Sequence, residues 1–228
     1  MQTQGQEAPF QDRCDAGRRL ARQLAAYAGQ PGLLVLALPS GGVPVAYEVA
    51  RALDAELDVF LIRKLVVPGH AELEMGAIAS GGIRVLNEAV VQAFRIGPAT
   101  IDAVAAAERD ALDRRERFYR GVVPRSAVRD RNVILVDDGL ASGSTWRAAL
   151  EALGCEEPRR LVAALPIAQR ETCEQLEEEA DEVVCTAVSS GSRGANEWYR
   201  DLTQTTDEEV RTLLERAGRS EAAPGRPH

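Results

Sequence analysis

Short apolar runs that alternate with glycine turns and amphipathic stretches constrain the fold of this chain more than any other feature. LLVLAL at 33–38 is followed by the turn PSGG and by VPVAYEVARAL at 43–53, which has helical periodicity. DVFLIRK at 58–64 is a second apolar run and predicts a second buried strand. A strand, a glycine turn, a helix and a strand in this order form a βαβ unit, and such units build parallel sheets.

The second half of the chain continues this alternation. Further strands are predicted at 133–137, 160–166 and 182–188, with helices near 144–153 and 169–180 between them. The predicted fold class is therefore α/β, with an open parallel sheet flanked by helices and a small C-terminal cap.

The chain divides into four predicted segments. Residues 1–30 contain an N-terminal helix, and residues 31–189 form the core. Residues 190–217 form the cap, which ends in a helix from about Asp207. Residues 218–228, with the sequence GRSEAAPGRPH, are predicted to be a disordered tail.

The segment LVVPGHAELEMGAIASGGIRVLN at 65–87 interrupts the alternation. Its glycines and its proline predict an extended, mobile loop over 65–82, with short strands around 76–80 and 83–86. A long, charged and exposed helix is predicted at 99–120.

Composition excludes several classes of function. The net charge of −8 argues against a nucleic-acid partner. No run of about 18 apolar residues exists, and MQTQGQEAPF lacks the features of a secretory signal, so we expect a cytoplasmic protein without a membrane partner. The four cysteines show no C-x-x-C spacing, which is typical of free cytosolic thiols.

Histidine and lysine are both scarce in this chain. The two histidines are His70 and the terminal His228, so neither a His-rich metal site nor a Ser-His-Asp triad is predicted. Lys64 is the single lysine among 27 basic residues. Two explanations stay open: drift in composition, or a need at this position for a compact ammonium that a planar guanidinium cannot replace.

The stretch VILVDDGLASGST at 133–145 carries the strongest chemical signal. Asp137 and Asp138 end an apolar strand, and ligands of open α/β sheets bind beyond the carboxyl ends of the strands. The loop that follows leads into a helix, and its amides, its hydroxyls and the helix end favour a bound phosphate. The loop consists of Gly139, Leu140, Ala141, Ser142, Gly143, Ser144 and Thr145.

Other phosphate loops do not fit this stretch. A P-loop contains Gly-Lys-Ser/Thr, and a dinucleotide fingerprint has its acidic residue about 20 positions after the glycines. Here the two acids directly precede the loop, which favours a sugar phosphate with the carboxylates beside the ribose hydroxyls. Carboxylates there also stabilise positive charge on the sugar ring. A capped helix with two solvent-facing aspartates is the alternative without a function.

This stretch resembles the phosphoribosyl-pyrophosphate (PRPP) signature of type I phosphoribosyltransferases. LALPSGGVPVAYEVARAL, DVFLIRKLVVPGHAELEMGAIASGG and WYRDLTQTTDEEV are similar to a bacterial branch of that family, and together the similar segments cover most of residues 33–217. The resemblance implies transfer of a 5-phosphoribosyl group from PRPP to a small-molecule acceptor, with release of pyrophosphate.

The resemblance also assigns residues to the pyrophosphate. Ser40, Gly41 and Gly42 of the PSGG loop would bind it through backbone amides. Arg63 and Lys64 would neutralise its charge, and Lys64 would take part in catalysis. Ser40 stands where this branch usually has arginine, so one cation is missing from the loop, and a serine binds an anion more weakly.

The ribose and the metal are assigned in the same way. Asp137 and Asp138 would face the ribose hydroxyls as catalytic residues, while 139–145 would hold the 5′-phosphate. Family members use Mg²⁺, which is bound largely through substrate oxygens. The two aspartates would be the protein's own ligands to this ion. The loop around 66–75 would close over the site and exclude water.

The acceptor is the least constrained part of this hypothesis. The segment 192–199 differs from the family pattern in a region that helps type I enzymes recognise the acceptor. Trp198 and Tyr199 would either stack a base or lie buried at the hinge of the cap, and both interpretations stay open. The acceptor is then a nucleobase-like nitrogen, or an amine or hydroxyl of a specialised metabolite.

One rival function uses the same fold. A regulatory protein that binds PRPP or a nucleotide without catalysis would tolerate the weaker pyrophosphate loop at Ser40. Retention of Lys64 and of both aspartates favours the enzyme instead. A homodimer is left open.

Overall fold

The computed structural model describes residues 10–121, 123–189 and 197–221. Its strands are β1 (Leu34–Ala37), β2 (Glu56–Val59), β3 (Ile62–Val67), β4 (His70–Ala79), β5 (Arg84–Leu86), β6 (Asn132–Val136), β7 (Arg160–Gln169) and β8 (Glu182–Ser189). Its helices are α1 (Arg13–Gln23), α2 (Gly42–Leu53), α3 (Glu88–Ala93), α4 (Pro98–Arg120), α5 (Gly143–Gly154), α6 (Arg170–Leu176) and α7 (Asp207–Glu221). Within these ranges no helix is both long and apolar enough to cross a bilayer.

A five-stranded parallel sheet forms the centre of the molecule. Its strand order is β2-β1-β6-β7-β8, and every neighbouring pair is parallel. This arrangement confirms the predicted α/β class with an open parallel sheet. The order reverses between β1 and β6, so the loops after these two strands lie side by side at the carboxyl edge.

The sheet is buried on both faces, as its continuous apolar runs predict. All of β1 is buried, and its side chains alternate between the two faces. Val35 and Ala37 pack in a cluster with apolar residues of α1 and α2, whereas Leu34 and Leu36 pack in a second cluster that includes Trp146 of α5.

The segment predicted as a mobile loop is instead a small antiparallel sheet of order β3-β4-β5. The prediction of a loop is therefore wrong for most of 65–82, whereas the short strands predicted around 76–80 and 83–86 correspond to the end of β4 and to β5. Pro68 and Gly69 occupy only the turn between β3 and β4, and Gly69 has a φ of 83°. Two turn-forming residues between runs of strand-forming residues are the signature of a hairpin, and here they form only the tight turn and not a longer loop.

The predicted strand at 58–64 is also divided in the structure. β2 ends at Val59 as an edge strand of the parallel sheet, and β3 begins at Ile62 in the antiparallel sheet. Leu61, in the connection, donates its backbone N–H to Ser80 Oγ at 2.9 Å, which joins it to the segment after β4. The apolar sequence at 58–64 contains no feature that predicts such a change of sheet.

The ends of the chain differ from prediction in detail. The N-terminal helix stops at Gln23 and is followed by a single 3-10 turn, Ala25–Tyr27. The helix that starts at Asp207 continues to Glu221, so the disordered tail predicted from residue 218 is wrong for its first four residues. Residues 190–196 of the cap and 222–228 of the tail lie outside the described residues.

Candidate functional site

The loop after β6 forms the amino end of α5. Ser142 is the N-cap residue of this helix, and its Oγ accepts the backbone N–H of Thr145 at 3.3 Å. Two further hydroxyls surround it: Ser144 Oγ lies 3.0 Å from Ser142 Oγ, and Thr145 Oγ1 lies 2.9 Å from it. Because the positive end of the helix dipole lies at this turn, the three hydroxyls lie where an anion binds.

One cation reaches this hydroxyl cluster, which consists of Ser142, Ser144 and Thr145. Lys64 Nζ donates to Ser144 Oγ at 3.3 Å and forms an ion pair with Glu74 across the β3–β4 hairpin. Lys64, Glu74, Ser144 and Thr145 line one cavity of about 430 Å³ between the antiparallel sheet and α5. An ammonium, three hydroxyls and a helix end in one place fit a phosphate group.

Asp137 is turned inward and organises the loop. Its Oδ2 accepts the backbone N–H groups of Gly139 and Ala141, each at 3.1 Å, and the residue is only 5% exposed. Burial, and then the charge of neighbouring Asp138, raise the pKa of Asp137, although the loop amides act against them.

Asp138 is equally buried and is held from two sides. Its Oδ1 accepts the backbone N–H of Leu140 at 3.1 Å, and its Oδ2 accepts Nε–H of Arg13 at 2.9 Å. Arg13, in the first turn of α1, was not predicted as a site residue. It is separated from Asp138 by 125 positions, and nothing in its neighbours DRCDAGRR distinguishes it from the other arginines of that helix.

The PSGG turn after β1 packs directly against the two aspartates. A Cβ atom on Gly41 would lie 2.1 Å from Asp138 Oδ2, and one on Gly42 would lie 2.9 Å from the Cα of Asp137. The peptide bond between Pro39 and Ser40 is cis. The structure thus brings together the two loops that the sequence predicted to share a site.

Comparison with known proteins identifies the family to which this site belongs. The family model described as "Phosphoribosyl transferase domain" matches residues 9–198, which include both loops and the hydroxyl cluster. The chain belongs to the phosphoribosyl transferase family.

Similar proteins come from two bacterial sources. Two proteins of Mycobacterium tuberculosis, from the CDC 1551 and H37Rv strains and each named "Putative phosphoribosyl transferase", are 44% identical over 217 residues, which is 95% of this chain and 48% of each relative. The chain thus spans about half the length of these curated relatives. A protein of Thermus thermophilus with a known crystal structure is 42% identical, with a TM-score of 0.79 over 90% of this chain and 97% of that one.

Within this phosphoribosyl transferase site, Lys64 lies elsewhere than predicted. The predicted strand at 58–64 puts Lys64 at its carboxyl end, and the resemblance directs its ammonium at pyrophosphate. In the structure Lys64 is the third residue of β3, and its ammonium is directed at the amino end of α5. The error follows from the change of sheet after Val59, which carries Lys64 away from the parallel sheet.

Arg63 is not brought to the same place. Neighbouring side chains of a strand point to opposite faces, and Arg63 Nε donates to Glu108 Oε2 of α4 at 2.7 Å. The prediction that Arg63 and Lys64 act as an adjacent pair on one ligand is therefore wrong for this conformation. Ser40, Gly41 and Gly42 remain beside the aspartates, and Ser40 is half-buried.

Of the two interpretations of Tyr199, the structure favours burial. Tyr199 is 2% exposed, its ring lies 5.3 Å from that of Phe10, and its hydroxyl donates to the carbonyl of Asp138 at 2.7 Å. Trp198 is half-buried beside the same cluster, and its carbonyl accepts the N–H of Phe10 at 2.7 Å. Tyr199 thus positions the strand end that carries the acid pair, and a base-stacking role is not supported for it.

A magnesium ion would find few ligands from the protein alone. Over 10–121, 123–189 and 197–221 no group of three or more His, Cys, Asp or Glu side chains is placed to hold a metal. Asp137 and Asp138 are adjacent carboxylates at a predicted phosphate site, which suits a Mg²⁺ ion that keeps most of its ligands from water and substrate phosphates. These two residues therefore fit a substrate-borne Mg²⁺ and do not form a closed metal cage.

Proposed function

We propose that this protein transfers the 5-phosphoribosyl group of PRPP to a small-molecule acceptor and releases pyrophosphate. The observation that carries the proposal is the hydroxyl cluster at the amino end of α5, with Lys64 Nζ 3.3 Å from Ser144 Oγ. It lies directly after an acid pair at the carboxyl edge of the sheet, beside a second glycine turn. One site therefore has separate contacts for a phosphate group, for a sugar and for a second anion.

The chain's own residues mainly position the substrate. The hydroxyl cluster and Lys64 bind the 5′-phosphate, and the Gly41 amide at the amino end of α2 would donate to pyrophosphate, whereas the Gly42 amide already donates to the Leu38 carbonyl at 3.1 Å. A nucleophile of the acceptor then forms a bond to C1 of the ribose while the bond from C1 to the pyrophosphate oxygen breaks, and pyrophosphate leaves with that electron pair. Asp138, paired with Arg13, places negative charge next to the ring, where positive charge develops in the transition state, and Asp137 holds the loop beside it through the amides of Gly139 and Ala141.

Magnesium belongs to the same proposal. When bound, Mg²⁺ would neutralise the charge of the pyrophosphate, with Asp137 and Asp138 as the protein residues that would hold it beside the substrate oxygens. The acceptor carries a nucleobase-like nitrogen or an amine or hydroxyl group, because displacement at C1 needs a nucleophile with a lone pair.

The test of this function is turnover with a panel of acceptors. The protein is incubated with PRPP, Mg²⁺ and nucleobases, amines or alcohols, and phosphoribosylated products are detected by mass spectrometry together with released pyrophosphate. We expect a product with at least one acceptor class. PRPP binding by calorimetry without product from any class would instead favour the regulatory function.

A pair of variants at Ser144 makes the binding test specific. Ser144→Asp places a carboxylate in the hydroxyl cluster, which repels a phosphate but suits the helix amino end, so the fold is retained. We expect PRPP affinity to fall at least tenfold in Ser144→Asp and by less in Ser144→Ala, which loses one hydrogen bond of about 1 kcal/mol. Unchanged affinity in Ser144→Asp would remove the cluster from the site.

A further inference from the structure

Two thiols that the proposed reaction does not use lie against each other between α6 and β8. Cys173 Sγ, in α6, is 3.1 Å from Cys185 Sγ, in β8, and both residues are half-buried free cysteines. A disulfide requires an S–S distance of about 2.05 Å. Closure of this pair therefore needs a movement of roughly 1 Å.

Small molecules can reach this pair. β8 is the last strand of the parallel sheet, and five of its eight residues, including Cys185, form an uninterrupted partly exposed stretch from Glu182 to Thr186. The two cysteines pack at the margin of the hydrophobic cluster that contains Trp146, not in its fully buried interior. An exposed edge and half-buried sulfurs are what distinguish oxidisable thiols from inert core cysteines.

The hydrogen bond between the sulfurs gives each thiol a different role. Hydrogen bonding to Cys185 lowers the pKa of Cys173, whereas hydrogen bonding to Cys173, followed by burial, raises the pKa of Cys185. Cys173, with the lower pKa, is therefore the sulfur that we expect to react first as a thiolate.

We propose that Cys173 and Cys185 form a reversible intramolecular disulfide that fixes α6 against β8 and thereby restrains the phosphate-binding loop. The oxidant is a small-molecule disulfide. The Cys173 thiolate attacks one of its sulfurs, a mixed disulfide forms and one small thiolate leaves. Cys185 then loses its proton and attacks the Cys173 sulfur, which expels the second small thiolate. Two protein thiols are oxidised, and one small disulfide is reduced to two thiols.

The connection to the loop runs through α6. Gln175, two residues after Cys173, places its Oε1 3.3 Å from the position that a Cβ atom on Gly143 would take. Ala141 of the loop packs against the same hydrophobic cluster as both cysteines. A covalent tie between α6 and β8 therefore holds one wall of the loop at 139–145. The disulfide itself does not depend on the proposed function, and only its effect on catalysis would.

The experiment uses the full chain with Cys14→Ser and Cys155→Ser, so that only the pair can react. After treatment with glutathione disulfide and alkylation of remaining thiols, we expect an intact mass about 2 Da below that of the reduced protein, with no alkylation, and reversal by dithiothreitol. In the same background Cys185→Ser should retain glutathione on Cys173, because the second attack is missing. Protein that remains fully alkylated in excess glutathione disulfide would overturn the proposal.

Hydrogen exchange tests the effect on the loop without any assay of activity. We expect slower exchange of the amides at 139–145 in the oxidised protein and a rise in Tm of about 5 °C, since the disulfide constrains the unfolded chain. The Cys173→Ser variant, treated with the same oxidant, is the matched control and should show neither the slower exchange nor the rise in Tm. Equal exchange at 139–145 in the oxidised and reduced forms would refute the restraint on the loop.

Discussion

Arg13 Nε lies 2.9 Å from Asp138 Oδ2, while Nη1 of the same guanidinium donates to the carbonyl of Thr203 at 2.8 Å. One side chain thus joins the N-terminal helix, the acid pair after β6 and the segment before α7. The side chains of Arg13 and Asp138 are 13% and 7% exposed, so solvent screens this ion pair only weakly. The second aspartate of the signature is therefore held in place by a residue near the start of the chain.

Removal of the Arg13 guanidinium should destabilise the protein. Arg13→Ala leaves a buried carboxylate without its charged partner, and we expect a loss of about 1–3 kcal/mol in the free energy of unfolding. Arg13→Lys should recover only part of it, because an ammonium cannot reach both acceptors in the geometry of the fork. Urea unfolding measures both variants. Arg22→Ala, on the exposed side of α1, is the control, and an Arg13→Ala variant as stable as this control would contradict the assignment.

The position of Lys64 predicts which substrate group it serves. Because its ammonium contacts Ser144, Lys64→Ala should weaken binding of PRPP and of ribose 5-phosphate by similar factors of about ten or more. A lysine at the pyrophosphate, as the family resemblance implies, would leave ribose 5-phosphate binding unchanged in the variant. Calorimetry with the two ligands distinguishes these outcomes.

Two further variants refine the Lys64 prediction. Lys64→Arg should restore part of the affinity, since it returns the charge without the compact geometry. Glu74→Gln removes the carboxylate that pairs with Lys64 and should strengthen phosphate binding modestly, because less competition remains for the ammonium. If Lys64→Arg binds both ligands like the wild type, the solitary lysine reflects composition and not a geometric requirement.

Asp138 and Lys64 differ in how well their positions could be predicted from the sequence. The two glycine loops were expected to share one ligand because of the resemblance to the family, and both follow strands whose carboxyl ends meet at one edge of the sheet. The position of Lys64 was predicted wrongly because the chain changes sheet at Leu61. This change depends on packing and on the hydrogen bond from Leu61 to Ser80. Arg13 was missed because its partner is remote in sequence. Local periodicity contains no information about either event.

Gly41 should be intolerant of any side chain. Its Cβ would lie 2.1 Å from Asp138 Oδ2 and 3.2 Å from Arg13 Nε, so Gly41→Ala must displace the carboxylate or the turn. We expect a loss of about 1–3 kcal/mol in stability, together with loss of PRPP binding. Gly154→Ala is the matched control, since nothing lies within 4 Å of its Cβ position, and it should leave both unchanged. Normal PRPP binding in Gly41→Ala would show that this close approach is not needed for the site.

Asp137 should make the stability of the protein fall as pH rises. Burial raises its pKa in the folded state above the usual carboxyl value of about 3.9, so the native protein binds more protons than the unfolded chain above that pH. The free energy of unfolding should then decrease from about pH 4 until the folded-state pKa is passed, by about 1.4 kcal/mol for each unit of elevation, and stay level above it.

Asp137→Asn isolates this contribution, because other carboxylates titrate equally in both proteins. The amide keeps one oxygen for the N–H groups of Gly139 and Ala141 but has no charge to bury. In urea unfolding at a series of pH values, we expect the wild type to lose stability relative to Asp137→Asn as pH rises from about 4.5. A wild type that instead gains on the variant would mean that the two loop amides outweigh burial and lower the pKa of Asp137.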